Sequence, residues 1–200
     1  TFIERMNLAP IPLDLIERDV VANDYLWRQT EVQGHYLDTQ ILLDNRIRKG
    51  NAGYEVMTPF KSDGGRTVLI NRGWIPLAGN REVVPKLPVP TGRLTLKGFI
   101  GPEPVVGIEL PGGSYSAERL SANTLRFQRP SISYIERAVD LKLWPALIYL
   151  DEESSSALMT DWAPPGDGSD RHTAYAVQWF AMSAVVVIFG LWFLSVRRER

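Results

Sequence analysis

Gly53-Tyr54-Glu55-Val56-Met57-Thr58-Pro59-Phe60, the six residues Lys61–Arg66, and then Thr67-Val68-Leu69-Ile70-Asn71-Arg72-Gly73-Trp74-Ile75 form the stretch on which the fold turns. Both flanks are rich in β-branched and aromatic residues, which suit a pleated and half-buried surface. Between them Asp63-Gly64-Gly65 predicts a hairpin turn, because glycine accepts positive φ without steric cost. The segment therefore reads as two antiparallel strands.

Working outward, more strands follow on both sides. Tyr25–Gly34 alternates loosely and ends at glycine, and Tyr36–Leu43 follows after only His35, which predicts a hairpin or a bent strand. Towards the C-terminus, Leu94–Ile100 alternates cleanly, and Thr124–Phe127 and Ala146–Leu150 complete the set. About seven strands at this spacing predict a mainly β domain over residues 25–163, a small barrel or sandwich with one or two helices. One helix is amphipathic: Ser131 can cap it, Ile132, Ile135, Val139 and Leu143 share a face, and Trp144-Pro145 stops it. Residues 1–24, broken by Pro10 and Pro12, read as a linker from a presumed upstream membrane helix.

The composition changes near the end. Thr173–Val196 holds no charged residue, and as a helix it reaches roughly 35 Å, enough for a hydrocarbon core of about 30 Å. A transmembrane helix is predicted over 172–196, preceded by a tether at 164–171 and followed by a tail at 197–200. Arg197, Arg198 and Arg200 follow the span, whereas Asp161, Asp167 and Asp170 precede it against Arg171. Positive charge stays inside, so the tail is expected in the cytoplasm and the β domain outside it. Phe2, Ile3 and Met6 look like the end of an earlier membrane helix, which would make the protein multi-pass.

Charge and cysteine usage narrow the chemistry. The net charge of -1 argues against bulk nucleic-acid binding, which needs an excess of Lys and Arg. With no cysteine there are no disulfides, thiolate zinc sites or iron–sulfur clusters. No G-x-S-x-G elbow, H-E-x-x-H helix or Walker glycine loop is present, so a conventional enzyme is not expected.

Two stretches remain. Asn71-Arg72-Gly73-Trp74 ends a strong β run, and Asp44-Asn45-Arg46 ends another, placing two polar clusters at one rim. Turn chemistry explains them; so does a partner surface made of Asp44, Arg46, Asn71, Arg72, Gly73 and Trp74. On the last helix, His172, Tyr175, Ala176 and Trp179 share a face. An imidazole there can ligate haem iron, or can simply bond to headgroups as an interfacial polar residue.

Taken in order, Gly34–Leu37, Asp44-Asn45-Arg46 with Gly50 and Gly53-Tyr54, Thr58-Pro59, Val68–Pro76 and the ending His172-x-x-Tyr175-Ala176-x-Gln178-Trp179-Phe180 resemble the Surfeit locus protein 1 family. The resemblance implies a factor for biogenesis of haem–copper cytochrome c oxidase. It would lie in the bacterial plasma membrane with its main domain periplasmic, or in the mitochondrial inner membrane of a eukaryote. It further implies haem a as cargo, delivered to oxidase subunit 1, with haem a synthase as another partner. His172 would ligate the iron, Tyr175 and Trp179 would pack the ring, and Arg171 would pair a propionate. The alternative is a cofactor-free membrane scaffold or a stable accessory subunit of the oxidase.

Overall fold

A computed structural model describes residues 2–17, 24–103, 117–128, 131–160 and 169–198. The chain divides into two units, Thr1–Trp162 and Ala163–Arg200. The first contains α1 (Phe2–Met6), β1 (Ile11–Pro12), a 3-10 turn (Leu13–Leu15), β2 (Gln29–Tyr36), β3 (Gln40–Arg48), β4 (Asn51–Ser62) and β5 (Thr67–Pro76). It continues with β6 (Leu94–Gly101), β7 (Glu118–Ser121), β8 (Thr124–Phe127), α2 (Ile132–Val139) and β9 (Leu147–Leu150).

The β4–β5 hairpin forms as its turn residues dictate. Lys61 pairs with Thr67 and Gly53 with Pro76, and Gly65 takes φ +86 in the turn. The described strands form one sheet in the order β1-β2-β6-β9-β5-β4-β3-β8-β7, and a further β2–β4 pairing closes β2-β6-β9-β5-β4 into a five-stranded barrel. Of the two predicted architectures, the barrel is the one observed. Closure occurs where Gly34 faces Ser62 and Tyr36 faces Phe60. At Gly34 a Cβ would fall 2.0 Å from the Lys61 carbonyl oxygen, so only glycine lets the two backbones meet.

Alternating side chains fill the barrel. Val32, Phe60, Val68, Ile70, Leu96 and Ile148 lie in one buried cluster. A second cluster forms where α2 sets Ile132 and Ile135 beside Ile41, Met57 and Leu69. Ser131 caps α2, its Oγ accepting from the Tyr134 N–H, and Asp140 ends the helix in the left-handed region at φ +53. The helix is shorter than the predicted spacing, so Leu143 reaches the core from the segment that follows it.

Several expectations need correction. Residues 1–24 are not merely a linker: β1 pairs in parallel with Thr30 and Glu31, and Leu13 and Ile16 are fully buried in the barrel cluster. The Arg66 guanidinium fixes this segment by donating to the carbonyls of Leu13, Asp14 and Ile16. Strand β2 begins at Gln29, after Trp27 at φ +67, not at Tyr25. Strand β3 runs through Asp44-Asn45-Arg46 by means of a bulge, with Asn45 at φ +60.

The second unit is α3 (Ser169–Arg198), which starts three residues before the predicted span and takes in the last part of the predicted tether. Among the described residues, no helix is long and apolar enough to cross a membrane. This departs from the span predicted at 172–196. That span includes positions 172–174, 191 and 193–196, whose side chains lie outside the described residues. The described side chains of α3, including Val177, Phe180 and Ile188, are exposed.

Candidate functional site

The two polar clusters do meet, but inside the wall rather than upon it. Asn71, Arg72, Trp74 and Asp44 are all buried. Trp74 Nε1 donates to the Arg46 carbonyl at 2.9 Å, and Arg46 lies 3.6 Å from the Glu55 carboxylate. Glu55 in turn accepts from Asn71 Nδ2 at 3.4 Å. Asp44 accepts from the Asn45 N–H at 2.7 Å and pairs with Arg81 at 3.1 Å. Gly73 sits at φ +121, where a Cβ would lie 2.7 Å from the Met159 carbonyl oxygen. The predicted partner surface is therefore mostly an internal hydrogen-bonded brace. Polar residues at strand ends look alike in sequence whether they face water or each other.

Arg72 is the most unusual member. Its Nε donates to the Ser156 carbonyl at 3.1 Å and its Nη2 to the Pro88 carbonyl at 3.2 Å, while Nη1 is buried with no partner among the described residues. The guanidinium lies 5.6 Å from the Tyr36 ring centroid, and the Tyr36 hydroxyl bonds the Ser156 Oγ at 2.8 Å. Burial pushes the Arg72 guanidinium down from its ordinary range, opposed by Tyr36. Burial likewise raises the Tyr36 phenol, opposed by the Ser156 hydrogen bond and by Arg72. This pins the loop before β6 and the segment after β9 to the barrel wall.

Beyond the brace, the sheet end opens into a cleft of about 630 Å³, lined by Arg48, Lys49, Trp74, Glu152, Met159 and Thr160 among others. Arg48 reaches across it, donating to the Met159 carbonyl at 2.9 Å with its guanidinium 5.9 Å from the Trp74 ring centroid. Sequence reasoning missed Arg48, Lys49 and Met159. The available signal was Lys49-Gly50 between two β runs, a two-residue hairpin turn.

On α3, Tyr175 is 62% and Trp179 65% exposed, four residues apart and so on one face. Both side chains are thus largely exposed on that face. The side chains of Arg171 and His172 lie outside the described residues. Among the described residues there is no cluster of three or more His, Asp and Glu that could hold a metal ion.

Comparison with known proteins adds to this geometry. A model of the SURF1 family matches residues 2–184, which take in the barrel and the His172–Trp179 face. A SURF1-like protein of Rickettsia bellii is 25% identical over 211 residues, covering 95% of this chain and 77% of the relative. An uncharacterized SURF1-like protein of Mycobacterium tuberculosis is 37% identical over 97 residues, 46% of this chain and 36% of that protein. The cytochrome oxidase assembly protein SHY1 of Saccharomyces cerevisiae is 34% identical over 73 residues, 36% of this chain and 19% of that protein. The matched stretch thus spans little more than a third of the mycobacterial relative.

Proposed function

Because this chain belongs to the SURF1 family, we propose that it acts in assembly of cytochrome c oxidase, aiding insertion of haem a into the catalytic subunit. The family match over residues 2–184 carries the assembly reading, and the name of the yeast relative supports it. Haem a as cargo is supported more locally. His172 stands at helical spacing from Tyr175 and Trp179, both exposed on α3. Haem a bears a lipophilic tail and two carboxylates, so a carrier must offer an apolar face with a polar end. Tyr175 and Trp179 supply the face, His172 one axial nitrogen, and Arg171 a cation for a carboxylate. A single axial ligand holds the cargo loosely enough to pass it on.

The same helix is the proposed membrane anchor. Thr173–Val196 lacks any charge, and the 30 residues of α3 rise about 45 Å. The described large apolar side chains along it are exposed, and lipid is the solvent that suits them. Arg197, Arg198 and Arg200 orient the helix with its tail in the cytoplasm and the barrel on the outer face.

The test is a visible spectrum. Full-length protein extracted from membranes of cells making haem a shows a Soret band, and His172→Ala weakens it several-fold. An unchanged spectrum in the variant removes His172 from the role. Co-purification with oxidase subunits and no Soret band identifies a scaffold instead.

A further inference from the structure

The cleft beyond Trp74 has a composition that the assembly role does not use. Lys49 and Gly50 take φ +48 and +80, so the β3–β4 turn is of the rigid type with both central residues left-handed. Beside it Ile47 is 75% exposed, and across the cleft Met159 is 52% exposed. The cleft wall carries two cations, Arg48 and Lys49, against one carboxylate, Glu152. Thr160, in the wall, is only 6% exposed, and its Oγ1 has no hydrogen-bond partner among the described residues. A buried hydroxyl left unsatisfied costs stability until an acceptor reaches it.

We propose that the β3–β4 hairpin tip and this cleft dock on the headgroup layer of an anionic phospholipid bilayer. Ile47 and Met159 enter the apolar boundary, Arg48 and Lys49 meet lipid phosphates, and a phosphate or glycerol oxygen accepts from the Thr160 hydroxyl. Exposed apolar tips flanked by basic residues are the pattern of surfaces that lie in a membrane interface. The choice of a bilayer over a protein partner comes from the chain itself. Thr160 precedes Ser169, where α3 begins, by nine residues, roughly 30 Å even when fully extended. An anchored α3 therefore keeps this end of the barrel close to lipid at high effective concentration. The inference rests on the reading of α3 as the anchor, and the two are separable by experiment.

The chain has no cysteine, so one introduced cysteine carries a fluorophore at a known place. The full chain is reconstituted into vesicles of phosphatidylcholine and phosphatidylglycerol that contain a headgroup-quencher lipid for the label at position 47 and an acyl-chain-quencher lipid for the label at position 188. Labels at Ile188→Cys in α3 and at Ile47→Cys are both quenched if the proposal holds. Lys49→Asn, which suits the left-handed turn, lowers the docked-to-undocked ratio about fivefold, and Arg48→Gln with Lys49→Asn about thirtyfold. Vesicles of phosphatidylcholine alone reproduce that loss. Quenching at position 188 without quenching at 47 overturns the docking surface and leaves the anchor standing. Quenching at neither position overturns both.

Discussion

Arg72 shows how much a single position in this wall is asked to do. A buried guanidinium is costly without an acid beside it, and none of the described carboxylates pairs with it. Two carbonyls and a tyrosine face stand in their place. Arg72→Ala orphans both carbonyls and opens a cavity, and the expected loss is about 3–4 kcal/mol in urea unfolding. Arg72→Lys recovers only part of it, because an ammonium cannot span both acceptors in a fixed fork. Tyr149 gives a prediction in pH. Burial, and then the Glu55 carboxylate, push its phenol above the ordinary value, with Arg46 opposing. Its neutral form is thus favoured in the folded state, so this contribution is complete below about pH 10 and fades as pH rises beyond it. Stability should fall by up to about 1.4 kcal/mol per pH unit for each such tyrosine, and Tyr149→Phe should remove one share of that slope. Urea midpoints between pH 9 and about pH 11 measure it.

Among the elements, the β2–β4 seam is the narrowest tolerance. Gly34→Val forces a side chain into the Lys61 carbonyl, and the ring opens. A loss above about 4 kcal/mol is expected, with hydrogen-exchange protection vanishing first in β2. A Gly34→Val protein with undisturbed β2 protection would show that the seam can yield. This seam also marks the boundary of what the sequence reveals. The β4–β5 hairpin was legible because its turn residues and flanking runs are neighbours. Strand β8 was legible for a similar reason, a short alternation of polar and apolar residues, Thr124-Leu125-Arg126-Phe127. The pairings β2 with β4 and β5 with β9 join distant segments and leave no local mark. Pro10 and Pro12 read as a linker because nothing near them announces that Leu13 and Ile16 fill the barrel. Asp44 and Arg72 read as a rim because burial of a polar side chain depends on acceptors contributed by other strands. The aromatic face on α3 was plain, since helical spacing alone sets it.

At the scale of the molecule, every residue of the three buried clusters comes from the unit Thr1–Trp162. Residues 1–162 made alone should therefore unfold cooperatively, at the same urea midpoint as the full chain. A lower midpoint would mean that α3 lends the barrel stability. The order of strands has a further consequence, in time rather than in space. Strand β9 slots between β5 and β6, parallel to one and antiparallel to the other, yet it is the last made of the described strands. Until Leu147–Leu150 emerges from the ribosome, both neighbours wait with bare edges that can recruit other chains. A message cut short before Leu147 would then yield an aggregation-prone fragment, not a smaller working domain.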